Sequence, residues 1–204
     1  DMSRIDSVLE DVQKNVELHG RSGAETVFLT NVQFTIPRED FDLPMSCDVE
    51  GAICDVSWFF KCAKARSVMP CGNPDASFFI KFFGKKTLPY GPTWNLTELK
   101  EHLTNPDTRR AVMLNHGGSE SPACVIGYQF QCLDYGVLDC TATLRSSDVA
   151  KVLAQDVFMT KLILDEISSL TGFESGSITF NLGNAHVFYE DLEYSEEFAI
   201  DYGD

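Results

Sequence analysis

Residues 124–148 read CVIGYQFQCLDYGVLDCTATLRSSD. Two runs rich in β-branched and aromatic residues, 124–134 and 137–144, flank Tyr135 and Gly136 and predict a hairpin. Ser146, Ser147 and Asp148 then offer capping oxygens to the longest helix of the chain, which carries Leu162, Leu164 and Ile167 and stops at Gly172. Downstream, 177–182 and 185–189 read as two further strands. Upstream, 111–114 reads as a strand, 96–103 as a short helix and 116–122, rich in Gly and Ser, as a turn. The Gly and Pro spacing across 71–95 breaks every periodic pattern, leaving mostly loop around a short apolar piece at 78–83. A second helix starts at a cap on Asp48 and runs to about Ala63, with Ala52, Ile53, Val56, Phe59 and Phe60 apolar and Asp55 set among them. A carboxylate there needs a reason. Residues 26–36 predict one or two strands ended by Pro37. The first helix follows Ile5, Val8, Leu9, Val12 and Val16, with Ser3 and Asp6 as a capping pair and Gly20 as its stop. No internal repeat or low-complexity segment is present.

The chain of 204 residues suggests a single domain over 1–204 with a core that needs no disulfide or metal to stand. Hydrophobic residues at 44% and charged ones at 23% exclude a disordered chain, a collagen-like repeat and a coiled coil. Net charge is −15 and the pI about 4.5, which argues against partners that need a basic field, nucleic acid and anionic membrane alike. No Lys or Arg follows Lys161, so the last stretch reads as a solvated acidic tail. The seven cysteines, an odd number scattered through apolar contexts without a CxxC, favour reduced thiols in a cytoplasm. With four isolated histidines, local spacing assembles no zinc constellation, and no metal is expected. No targeting leader or membrane span is legible, and the expectation is a soluble, cytoplasmic protein.

Only seven arginines occur, yet Arg109 and Arg110 are adjacent and Arg145 immediately precedes the Ser-capped helix. A guanidinium beside a helix N-terminus is an arrangement that binds phosphate, with Ser146 and the first free amides completing it.

Several short motifs surround this core: GRSG at Arg21, a WF pair at Trp58, YGPTW at Tyr90, PDTRR at Arg109 and Arg110, CVIGYQF at Cys124, LRSSD at Arg145 and GNAH at His186. Their identity and order resemble the thymidylate synthase family over most of the chain. The resemblance implies a mixed α/β (α+β) fold, a twisted mixed sheet with a long buried helix, and a homodimer whose sheets pack back to back. It implies that Arg21, Arg145 and Ser146 hold a nucleotide phosphate while Arg109 and Arg110 reach in from the partner subunit. Gln129 and His186 join the nucleotide-binding set, and Asp148 the folate-binding set. Cys124 matches the nucleophile. Sulfur addition at pyrimidine C6 places enamine density on C5, which can then attack a one-carbon electrophile before the C5 proton leaves. A free thiol is only a few per cent ionised at neutral pH, so Arg145 close by is expected to favour the thiolate.

Asp156, eleven residues past Arg145, stands where uracil-specific members carry Asn. An amide both donates to and accepts from uracil, whereas a carboxylate suits the exocyclic amine and protonated N3 of cytosine. In this the chain looks like the branch that hydroxymethylates cytidylates, known from phages with modified cytosine and from nucleoside-antibiotic pathways. The implied reaction is transfer of a hydroxymethyl group from methylenetetrahydrofolate to C5 of dCMP or CMP, with Asp55 positioning water and Tyr90 assisting removal of the C5 proton. Asp55 stands where the family has Glu, one methylene shorter; Val125 stands for His, Phe188 for a Tyr, and Lys151 and Val152 for small and apolar residues of the folate side. Two alternatives stay open: a cytidylate methylase, and a pyrimidine-nucleotide-binding protein without folate chemistry.

Overall fold

The computed structural model describes residues 4–41, 47–84, 90–105, 107–115, 123–134 and 136–193. Ser3, the turn at 116–122, Tyr135 of the hairpin and residues 194–204 of the acidic tail lie outside these.

Helix α1 (Arg4–His19) buries Ile5, Leu9, Val12 and Val16, the stripe that its periodicity sets out. After the two-residue β1 (Arg21–Ser22), β2 is one long strand, Thr26–Ile36. Helix α2 (Val49–Ala65) begins as expected at Asp48, whose side chain accepts a hydrogen bond from the Gly51 amide at 2.9 Å. The apolar piece at 78–83 is a short helix, α3 (Phe78–Phe83), capped by the Ser77 side chain, which accepts from the Ile80 amide. Its FFIKFF sequence has no amphipathic period to announce it. Helix α4 (Leu96–Leu103) and strand β3 (Val112–Leu114) follow, then the hairpin of β4 (Val125–Asp134) and β5 (Val137–Leu144).

The helix after the hairpin departs from its expected start. Ser147–Asp148 form a two-residue strand, β6, paired in parallel with Ala185 and His186, and α5 (Leu153–Thr171) begins five residues later without a side-chain cap. Pairing to a neighbouring strand takes up the backbone groups that a helix start would have left free. Likewise, the two strands expected between 177 and 189 are one, β7 (Glu174–Phe188). Its buried parity shifts from Ile178, Phe180 and Leu182 to Ala185 and Val187 across Gly183 and Asn184, which imitates a break in sequence.

The sheet order is β1-β2-β7-β5-β4-β3, with β6 on β7. It is mixed: β7 runs parallel to β5 and β6, and the other pairings are antiparallel. Helices α1 and α5 pack on the sheet and α2 packs on α5. From Leu153 to Thr160 every residue of α5 is buried, as befits a helix enclosed on all sides. Leu138, Cys140, Ala142 and Leu144 face this core, while Val137, Asp139, Thr141 and Thr143 alternate onto a half-covered, threonine-rich face where the Thr35 and Thr179 hydroxyls lie 2.9 Å apart. This is the mixed sheet and long buried helix that the resemblance implies.

Candidate functional site

The entrance to β4 sits beside the exit from β5, because Val125 pairs with Leu144. Cys124 and Arg145 are therefore neighbours across 21 residues of chain. The Arg145 amide donates to the Cys124 carbonyl at 2.8 Å, and its guanidinium spreads over three acceptors: the Ala123 carbonyl at 3.2 Å, Ser146 Oγ at 3.0 Å and Cys124 Sγ at 3.6 Å. A fixed cation at that distance stabilises anionic sulfur. On the other side of Cys124, its amide donates to the Tyr90 hydroxyl at 3.2 Å. Burial, with the Cys124 charge adding to it, pushes the Tyr90 phenol well up, so it keeps its proton.

Cys124 opens on a cavity of about 380 Å³, shared with Ser146, Ser147, Asp148, Lys151, Val152, Asp156, His186 and Glu190 and walled by Phe82, Phe83 and Phe188. That is the size and apolar lining of a small-molecule site with a few convergent polar groups. Asp156, on the first turn of α5, is 7% exposed and accepts a hydrogen bond from Ser147 Oγ at 3.0 Å. Burial pushes its carboxyl up to about 7, the Asp148 charge adding to the shift while the Ser147 bond opposes it. Asp148 also sits above the ordinary carboxylate range through burial, although the amides of Ala150 and Lys151 donate to Oδ1 at 3.1 and 3.2 Å. His186 is held low by burial against the pull of Asp148, with Nδ1 3.1 Å from Asn184 Oδ1. Two carboxyls above their usual range and a histidine below its own describe a site that favours uncharged forms.

Sheet register adds Arg21 to this corner. Arg21 lies opposite Phe28, Phe28 opposite His186, and His186 opposite Asp148, one row across four strands on a single face. At about 4.8 Å per strand, Arg21 stands roughly 10 Å from His186, near enough for an exposed arginine side chain to approach the cavity. Gln129 is not brought to it: this side chain is exposed on β4, in the row of Val112 and Thr141. Arg109 and Arg110 are exposed before β3 and do not line the cavity either. Asp55 is fully buried and outside the lining set; its carboxylate accepts from Ser77 Oγ and from the Phe79 amide at 3.1 Å, so its reason for being buried is to hold the start of α3. Helix α3 in turn supplies Phe82 and Phe83 to the cavity wall.

Three contributors escaped the reading of the sequence. Ser147 has the sequence context of a helix cap, but it lies in β6, paired with Ala185, and its hydroxyl donates to Asp156. Phe82 and Phe83 belong to a segment without period, so no signal in the sequence separates them from core aromatics; only the fold leaves them 45% and 40% exposed at the cavity wall. Phe82, Phe83, Val152 and Asp148 line the cavity together, an aromatic surface with a carboxylate that could hold a flat, amino-bearing heterocycle such as the pterin of a folate. Among the described residues no helix is long and apolar enough to cross a membrane.

Comparison with known proteins points the same way as this geometry. A protein of Methanopyrus kandleri named "Putative thymidylate synthase" is 26% identical over 126 residues, 59% of this chain and 60% of that protein, so the match spans about three fifths of its length. Residues 95–199, which include Cys124, Arg145, Asp156 and His186, match the family described as Thymidylate synthase, and the chain belongs to the thymidylate synthase family.

Proposed function

We propose that this protein transfers a one-carbon unit to C5 of a cytidine monophosphate, dCMP or CMP, and that the product is the 5-hydroxymethyl nucleotide. The observation that carries the reading is the shared cavity of Cys124, braced by Arg145, and Asp156, raised to about 7. A carboxyl that is half protonated near neutrality can donate to cytosine N3 and accept from its exocyclic amine, or share the N3 proton while staying anionic. Both states match cytosine, whereas uracil, whose O4 needs a donor, is refused by the anionic state, the one that prevails above about pH 7.

In this reading Cys124 Sγ attacks C6 as the base is held at Asp156, and the proton shared with N3 accepts the charge that the ring gains. Arg145 and Ser146, with Arg21 at the edge of the same face, bind the 5′-phosphate, and Arg109 and Arg110 complete it from a second copy; Gln129 belongs to the nucleotide-binding set. His186 holds the sugar. Methylenetetrahydrofolate would be held by Phe82, Phe83 and Asp148 and would supply the carbon; after the C5 proton leaves, water adds its oxygen to the exocyclic methylene of the nucleotide and the Cys124 Sγ–C6 bond breaks, returning the thiolate. Tyr90, neutral and anchored by the Cys124 amide, relays the C5 proton through water. Asp55 supports these steps through α3.

Incubation of the protein with methylenetetrahydrofolate and, separately, dCMP, CMP and dUMP, followed by mass spectrometry of the nucleotides, tests this reading. Hydroxymethylation of a cytidylate is expected, and Asp156→Asn shifts preference toward dUMP by a factor of order ten, the worth of one hydrogen bond of about 1.4 kcal/mol. Equal or better use of dUMP by the unmutated protein overturns the assignment. A methylated product would place the protein as a cytidylate methylase. Release of tritium from C5-labelled dCMP without any product would leave the covalent step and remove the carbon transfer.

A further inference from the structure

We propose that Cys54, Asp55 and Cys71 form a site for a thiophilic divalent metal ion of the zinc type, separate from the cavity at Cys124. The three side chains come from α2 and from the segment that follows it, and their ligand atoms all lie within 4.8 Å of one another. The two sulfurs are 3.7 Å apart. In a tetrahedral centre with metal–sulfur bonds of about 2.3 Å, the sulfur–sulfur edge is about 3.8 Å. The thiols are thus already spaced as ligands on one metal, and well beyond the roughly 2.05 Å of a disulfide. The Asn73 carbonyl oxygen lies 3.5 Å from Cys54 Sγ, and water or this carbonyl would complete four-coordination.

Asp55 remains able to coordinate. Its carboxylate accepts from Ser77 Oγ and the Phe79 amide, with the Phe78 amide also acting on it, which leaves about one of four lone-pair positions for an ion. Those same bonds fix the carboxylate's direction, as hydrogen bonds to a ligating carboxylate do in established metal sites. Cys54 is half-buried and gives an ion a way in from solvent, whereas Cys71 and Asp55 are enclosed. Two sulfur donors with oxygen select zinc, cobalt(II) or a similar ion over magnesium or calcium. On binding, each thiol's S–H bond breaks, its proton passes to buffer and its electron pair forms the bond to the metal; no oxidant or reductant takes part.

The bound ion would tie α2 to residues 71–73 at the point where Asp55 holds the start of α3, and so would stiffen the helix that presents Phe82 and Phe83 to the nucleotide cavity. The test does not depend on the proposed reaction, because none of the three ligands lines the cavity at Cys124 and metal binding is read without turnover. Cobalt(II) titration of the reduced, chelator-treated full chain is the test. One equivalent per chain is expected, with sulfur-to-cobalt charge-transfer absorption in the near ultraviolet and the intense visible bands of a tetrahedral ion. Cys54→Ser and Cys71→Ser each abolish the charge-transfer band or shift it by half its intensity, Asp55→Asn weakens binding tenfold or more, and Cys132→Ser leaves all of it unchanged. A variant that fails to fold is bypassed by mapping alkylation on the unmutated protein, where zinc should protect Cys54 and Cys71 and leave Cys132 reactive. Absence of the sulfur band, its persistence without Cys54 and Cys71, or equal alkylation with and without zinc overturns the proposal, as does a reduced protein that only forms a Cys54–Cys71 disulfide on exposure to peroxide.

Discussion

Asp156 concentrates the physics of the site in one side chain. Its carboxyl ionises near 3.8 in an unfolded chain and near 7 in the fold, chiefly because it is buried. Between those values the folded protein binds a proton that the unfolded chain has released, so stability falls as pH rises through this window and the whole deficit is present above about pH 7. At about 1.4 kcal/mol per pH unit the deficit is on the order of 4 kcal/mol. Asp156→Asn removes the charge while its amide oxygen still accepts from Ser147. Denaturant unfolding should therefore show the variant more stable than the parent by a few kcal/mol at pH 8 and indistinguishable from it at pH 4; equal stability at pH 8 would show that the carboxylate is solvated after all. Ser147→Ala removes the bond that opposes the shift, so in that variant the upper end of the window over which stability falls should move from near pH 7 to above it. The position of Asp156 was legible from its distance to Arg145 along the chain. Its proton was not, because the depth of burial depends on α5 being enclosed by the sheet, α2 and α4, which no local window contains.

Elements were legible where a single period or cap decides them. The α1 stripe and the Asp48 cap of α2 needed nothing distant. The reading failed in part where backbone pairing across the chain intervenes: the Asp148 side chain does accept from the Ala150 and Lys151 amides as a cap would, but Ser147 and Asp148 pair with Ala185 and His186, and the helix starts only at Leu153. The Cys54–Asp55–Cys71 cluster was invisible for the same reason, since 17 residues separate its sulfurs in sequence. Two glycines show how closely the elements meet. A Cβ on Gly91, in the YGPTW motif, would come 2.2 Å from the Phe59 carbonyl of α2 and would sit at φ +93°. A Cβ on Gly183 would lie 2.9 Å from the Arg145 carbonyl at an ordinary φ. Gly91→Ala combines a backbone clash with left-handed strain and should lose about 3 kcal/mol or more in denaturant unfolding, whereas Gly183→Ala should lose about 1 kcal/mol and lower activity through Arg145. The reverse ranking would mean that α2 yields more easily than the β5–β7 seam.

For the whole molecule, four of seven arginines serve a single anionic ligand in the proposed reading, which is how a chain at −15 could bind a nucleotide. Arg109 and Arg110 stand exposed and apart from the cavity of their own chain, the arrangement expected if they act on another copy. A mixture of the inactive variants Cys124→Ala and Arg110→Ala, refolded together, should then regain activity, because one hybrid site carries both intact groups; mixed dimers without any recovery would reduce the pair to surface charge. The resemblance in sequence reached the mixed sheet correctly because its motifs mark the β4–β5–β6 turn and β7 directly. One pairing in that sheet has a bearing on synthesis. β2, complete at residue 36, pairs along its whole length with β7, whose last residue is 188. At about 5–20 residues per second, a ribosome leaves β2 without its partner for on the order of ten seconds. Throughout that interval Val27, Val32, Phe34 and Ile36 are on a nascent strand with an open edge, a template for pairing with a neighbouring polypeptide. Production of this protein should therefore depend on nascent-chain chaperones and improve at low temperature, well before any question of its finished stability arises.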